Sequence, residues 1–112
     1  MPAREESGKG TLPKGFPEDV PLPENGKIRL SQHRVNMDTF TLTIDTDESP
    51  RDVVQYYQRE SPRRGWKVIR TTDFGPLISV EAVKDAHHLQ VEVSREEKTT
   101  QVHITLAPVG TP

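Results

Sequence analysis

The chain contains no cysteine. Disulfides, thiolate metal sites and a cysteine nucleophile are therefore excluded, and the redox compartment is left open. Aromatics are scarce, 5% of residues with a single tryptophan, and the hydrophobic share is only 31%. A 112-residue chain this poor in apolar mass must place each apolar side chain well to close one core. No apolar run exceeds two residues, as at Val53-Val54, so no stretch reads as a membrane-spanning helix. Neither sign of charge dominates: the formal net charge of -2 gives no bulk attraction to nucleic acid or anionic lipid. The seven glycines are scattered and form no G-x-x-x-x-G-K phosphate loop. No serine stands in a G-x-S-x-G elbow or an S-x-x-K motif.

What is present is a pattern of periods. Residues 1–14 hold five charges and two glycines, which predicts a disordered tail. The last four residues, 109–112, are expected to fray. Between them, residues 15–108 read as one domain. In "FTLTID" (40–45), Phe40, Leu42 and Ile44 alternate with polar residues, the signature of a half-buried strand. "KIRL" (27–30) alternates too, with Ile28 and Leu30 expected on one face and a turn near Gln32-His33-Arg34. After Asp47 the period changes. Ser49 suits an N-cap, Pro50 the first helical position and Asp52 the third, and Val53, Val54 and Tyr57 follow on one helical face. The helix runs toward Glu60 and should stop or tighten at Pro62, with Gly65 as the left-handed exit.

From Trp66 the pattern is strand throughout: "WKVIR" (66–70), "LISVEAV" (77–83), "HLQVEVSR" (88–95) and "TQVHITLA" (100–107). A loop at Glu96–Thr99 sets Val91 opposite Ile104 and Val93 opposite Val102. For Ile78, Val80 and Ala82 to share that face, the preceding loop must be even in length, most simply Lys84–His87. The expected architecture is α+β: a twisted antiparallel sheet of about five to six strands with one helix on its apolar face, in the order ββαββββ. One helix covers about 10 Å, so the edges of the sheet need other cover. "GFPEDVPLPENG" (15–26) supplies a candidate. Its prolines have no P-x-x-P spacing, which disfavours a polyproline ligand, while Phe16, Val20 and Leu22 suit a stiff arm pinned along the domain.

These residues carry a family resemblance. Pro17, Asp19, Pro21, Pro23 and Ile28, then Val53, Tyr56, Tyr57, Gly65 and Trp66, resemble a group of small domains of bacterial secreted proteins and lipoproteins of unknown function. The resemblance covers roughly residues 15–107 and rests on packing motifs. It implies a periplasmic, secreted or envelope-anchored location. "MPAREESGKGT" has no apolar h-region, which points instead to the cytoplasm or to a mature chain given a new start methionine. A lipid anchor would need a leader already removed. Ser61 stands where such helices usually carry leucine.

The chemistry-bearing residues have mostly structural explanations. "DTDES" (45–49) is acidic, but Pro50 and Tyr56 occupy the positions where a calcium loop needs glycine and glutamate. The four histidines, His33, His87, His88 and His103, show no ligand spacing, so no metal and no cofactor is expected. Arg59, Arg63, Arg64, Lys67 and Arg70 surround Trp66. With an exposed tryptophan they would make a nucleic-acid or polyanion patch; with a buried one they complement a helix C-terminus. On the polar sheet face, Glu92 is expected directly across from His103, beside Gln90 and Thr105. Such a pair is either an acid/base dyad or an ordinary cross-strand charge pair. The leading expectation is a non-enzymatic binding or accessory module with a protein or envelope partner. A polyanion binder using Arg63, Arg64 and Lys67 comes second, although nucleic acid is disfavoured by the charge, and a small enzyme using Glu92 and His103 third.

Overall fold

Alternation in the 40–45 segment does what a period of two requires. In the computed structural model, which describes residues 5–8 and 12–109, Phe40, Leu42 and Ile44 are buried while Thr41 and Thr43 stay part-exposed on the other face. They belong to a sheet whose strands are β1 (Glu5–Gly8), β2 (Lys27–Arg34), β3 (Thr39–Thr46), β4 (Lys67–Asp73), β5 (Leu77–Lys84), β6 (His87–Glu96) and β7 (Thr99–Pro108). The spatial order is β1-β2-β3-β7-β6-β5-β4, with every neighbouring pair antiparallel. One helix, α1 (Pro50–Arg63), lies between β3 and β4 in the chain. The ββαββββ order expected from the sequence is thus present, with a short strand added at one edge.

That added strand differs from the disordered tail expected for residues 1–14. Glu5–Gly8 pair with β2, and the ordered arm begins before residue 15: Phe16 N–H donates to the Pro13 carbonyl at 3.2 Å. Residues 1–4, 9–11 and 110–112 lie outside the described residues, so the expected fraying at the chain's end falls largely there.

The helix is built as its caps dictate. Ser49 Oγ accepts the Asp52 N–H at 3.1 Å, and Pro50 takes the first helical position. The helix runs to Arg63, one residue past the Pro62 at which it was expected to stop or tighten. There the ladder closes tightly. Gly65 N–H reaches the Pro62 carbonyl, Trp66 N–H reaches the Ser61 carbonyl at 2.9 Å, and Gly65 takes a φ of 91° that glycine accepts without a Cβ clash. Val53, Val54, Tyr57 and Ser61 form the buried stripe against β4, β5 and β6.

The two C-terminal hairpins keep the expected register with tighter turns. Val91 faces Ile104 and Val93 faces Val102, but Glu96 still pairs with Thr99, so only Glu97 and Lys98 turn the chain. Likewise Lys84 pairs with His87, leaving Asp85 and Ala86 instead of the four-residue loop expected. Both loops are even, which is why Ile78, Val80 and Ala82 face the core as required. Asp85 and Glu97 take the left-handed conformation, at φ values of 54° and 52°.

Two β-bulges overturn simple alternation. A shift between Ile28 and Leu30 sets Ile28 opposite Ile44 but Leu30 opposite Thr43, so Leu30 faces outward and is 57% exposed. The expectation that both share one face fails for that reason: one extra residue reverses the parity of all that follows. The same strand continues through Arg34, and the turn comes later, at Val35–Met37 with Asp38 left-handed. In β4 a second shift between Val68 and Arg70 leaves Ile69 exposed.

The helix covers the β6-β5-β4 half of the apolar face. The Pro-rich arm supplies cover elsewhere, as expected of a pinned segment. Val20 is buried, and Phe16 and Leu22 pack against the core. Phe40 is held edge-on by Phe16 at 5.4 Å and stacked by His33 at 3.9 Å. Three polar anchors fasten the arm: Trp66 Nε1 donates to the Asp19 carbonyl at 2.8 Å, Tyr56 Oη to the Leu22 carbonyl at 2.6 Å, and Lys84 Nζ to the Asp19 carboxylate. At its end Gly26 approaches β3 so closely that a Cβ there would lie 2.5 Å from Ile44 Cγ2. Phe16→Ala should therefore destabilise the domain by about 1–3 kcal/mol, within the range of partly buried aromatic truncations, read as a lowered melting temperature.

Tyr57 is fully buried, and its hydroxyl has no hydrogen-bond partner among the described residues. Burial pushes its phenol well above the ordinary range. The unfolded chain ionises this group near pH 10 while the folded chain holds its proton, so stability is full below pH 10 and falls as the pH rises beyond it. Tyr57→Phe should raise stability at neutral pH by about 1 kcal/mol, by removing an unsatisfied polar atom. It should also flatten the alkaline limb in denaturation measured from pH 8 to 11.

Candidate functional site

The face of the sheet turned away from helix and arm carries the polar half of each strand. The registers align these residues into rows that cross the sheet. One row runs Gln32, Thr41, Thr105, Gln90, Glu81 and Arg70; its neighbour runs Leu30, Thr43, His103, Glu92, Ser79 and Thr72. Four residues singled out from the sequence, Gln90, Glu92, His103 and Thr105, form the 2 × 2 centre of this face on β6 and β7. Each is partly exposed.

Glu92 stands opposite His103 in register, as expected. The ion pair itself does not form. His103 Nδ1 meets Thr43 Oγ1 at 3.2 Å, and a Glu92 oxygen accepts from Gln90 Nε2 at a long 3.5 Å. A directly opposite pair brings Cβ atoms close, but side-chain torsions decide which neighbour is met. The chemistry that results is hydrogen bonding in both senses, with a hydroxyl, an imidazole, an amide and a carboxylate side by side on an open surface.

A second cluster on this face escaped sequence reading. Glu81 receives His88 Nε2 at 3.2 Å on one oxygen and Arg70 Nη1 at 3.8 Å on the other. His88 belongs to the row before Glu81, so the contact is diagonal. The register that sets His88 opposite Val83 and Gln90 opposite Glu81 puts the two in neighbouring rows, within reach of each other. Ser79, in the row of Glu92, is almost fully buried although it lies on the polar face, and its hydroxyl has no partner among the described residues.

The basic segment is divided by the fold. Arg63 and Arg64 sit at the end of α1, where they and Arg59 surround Glu60 at 3.5, 3.9 and 3.3 Å. Lys67 opens β4 opposite Val83, in a row of the outer sheet face with His88 and Ala107. Trp66, between them, is only 3% exposed and spends its N–H on the arm. It is not available as a stacking platform. Lys84 Nζ bonds the Arg64 carbonyl at 2.9 Å, so part of the positive charge serves the helix end. Trp66 emission should be blue-shifted and unchanged on titration with single-stranded oligonucleotides. A quenched or shifted band would contradict the buried geometry.

Of the acidic 45–49 stretch, Asp45 pairs with Arg29 at 2.9 Å and Ser49 caps the helix. His87 approaches Asp38 at 3.7 Å at the far end of the sheet, away from the central rows. No helix among the described residues is long and apolar enough to cross a membrane.

An antiparallel sheet packed on one side by a single helix, with its other face open, defines the class as a small α+β domain. Within that class the chain belongs to the START domain-like family, whose model matches residues 30–107, from the β2 bulge to the end of β7. It is also similar to an uncharacterized protein of the archaeon Archaeoglobus fulgidus, with 30% identity over 69 residues, covering 62% of this chain and 74% of that protein. The matched family segment begins after the Pro-rich arm.

Proposed function

We propose that the chain is a non-enzymatic binding module that engages a protein partner through the outer face of its sheet, centred on Gln90, Glu92, His103 and Thr105. The observation that carries this reading is the division of the sheet's two faces. The inner face is filled by α1 and the arm, whereas the outer face presents two cross-sheet rows made mostly of part-exposed hydrogen-bonding groups, with Gln90, Glu92, His103 and Thr105 at their centre. Polar side chains arranged in register on a rigid sheet suit recognition, because little ordering entropy remains to be lost on binding. The Thr43–His103 contact, set beside Glu92, would be the starting point of an acid/base reading. Its open position on a sheet offers neither enclosure nor a donor pair for a developing charge, which favours binding over catalysis.

The envelope location implied by the resemblance of the arm and the Gly-Trp helix end belongs to the same proposal, with the cytoplasm as its alternative. A second reading draws on the three arginines around Glu60, whose three positive charges exceed the single carboxylate. It is a polyanion contact at the end of α1 together with Lys67.

Hydroxyl-radical footprinting of the full chain, alone and in an extract of its own cells, separates these readings. Protection is expected at Gln90, Glu92, His103 and Thr105. Protection confined to Arg63, Arg64 and Lys67, with heparin retention lost in Arg63→Glu/Arg64→Glu, would favour the second reading. Turnover of a hydrolase or transferase substrate that disappears in His103→Ala would refute the binding reading outright.

A further inference from the structure

The β2 edge of the sheet is closed by four residues of poor strand-forming chemistry. β1 reads Glu-Glu-Ser-Gly, and acids and glycine are depleted in strands; glycine also loses the most backbone freedom on pairing. Its register places Glu5 opposite Arg34, Glu6 opposite His33, Ser7 opposite Gln32 and Gly8 opposite Ser31. β2 itself carries Lys27, Arg29 and Arg34 together with His33, and no acid. The bulge between Ile28 and Leu30 interrupts its first half, so the regular stretch open to strand pairing is Leu30–Arg34. β1 occupies that stretch almost alone and reaches no further. Beyond it, no described strand stands outside Lys27–Leu30.

We propose that β1 is a removable placeholder, and that β2 accepts in its stead an extended acidic segment of a partner protein, added as an antiparallel strand. Backbone hydrogen bonds along an edge supply affinity without regard to sequence, and the side chains that alternate above and below supply choice. Here the choice is written in charge. An incoming segment keeps acids opposite Arg34 and His33, where β1 places Glu5 and Glu6. β-branched residues in the remaining positions would hold the ladder better than Ser7 and Gly8 do. The tether gives β1 a high effective concentration, so a competitor succeeds only by pairing better, which makes the exchange selective. This edge is separate from the outer face, and the two proposals stand or fall independently.

The test uses the full chain and two synthetic peptides, acetyl-Glu-Glu-Thr-Val-Glu-amide and its counterpart acetyl-Lys-Lys-Thr-Val-Lys-amide, followed by amide NMR. Glu5→Lys/Glu6→Lys sets cations opposite Arg34 and His33 and should unseat β1 without touching the core. That variant should bind the acidic peptide about tenfold more tightly than the parent, equivalent to about 1.4 kcal/mol, with shifts centred on Ser31–Arg34. Arg34→Glu in the otherwise unchanged chain should reverse the preference between the peptides, and it tests the charge rule even if the double variant folds poorly. Equal affinity for both peptides, or shifts centred away from β2, would overturn the proposal. So would a dimer in which Glu5–Gly8 of one copy cross-links to β2 of another, since the occupant would then be a second copy.

Discussion

A helix about 10 Å wide cannot cover six long strands spaced about 4.8 Å apart, and every other feature of this domain follows from that mismatch. α1 packs chiefly on the β6-β5-β4 half of the apolar face. Unless something covers the rest, Phe40, Leu42 and Ile44 would face water. The arm performs that task with little apolar mass of its own: Phe16, Val20 and Leu22, stiffened by prolines that reduce the entropy of ordering it. Its backbone carbonyls are satisfied by the two side chains best suited to do so, the indole of Trp66 and the phenol of Tyr56. Those residues thereby belong to two layers at once. The aromatic pair that reads as a core motif of the helix end is also the fastening of the arm.

The same arrangement explains why chemistry is confined to one side. Once helix and arm have claimed the inner face, the polar residues of β3, β7, β6 and β5 share the outer one, and the tight turns at Asp85-Ala86 and Glu97-Lys98 lock them into rows. The basic segment meets the opposite fate. Because Trp66 must turn inward to hold the arm, it separates the helix-end arginines from Lys67 at the start of β4 and breaks up what the linear sequence presents as one patch.

Much of this was legible from residue order. The alternation of residues 40–45, the Ser49-Pro50 cap, the Gly65 exit and the parity argument for β5 to β7 rest on local geometry with fixed periods, and each appears in the structure. The Val91–Ile104 and Glu92–His103 pairings follow from the same parity. The failures share a physical cause. A bulge is one unpaired residue, and nothing in "KIRLSQHR" marks Arg29 as the place where β2 slips against β3; the slip sends Leu30 outward. The Glu81–His88 contact runs diagonally between neighbouring rows, and side-chain torsions rather than register decide whether such a contact is made. That Glu92 and His103 would stand opposite could be read, but whether they would touch depended on torsions and on Thr43, which lies on a strand sixty residues away.

By itself, then, the sequence determined the element types, their order, the pairing of the last three strands and the need for a covering arm, because periods, caps and turn parity act over a few residues. Tertiary structure alone decided which half of the sheet the arm covers, that Glu5–Gly8 close the β2 edge, and that Trp66 is spent on Asp19. Those outcomes depend on distances between segments far apart in the chain, where many local choices are equally acceptable and only the closing of one shared core selects among them.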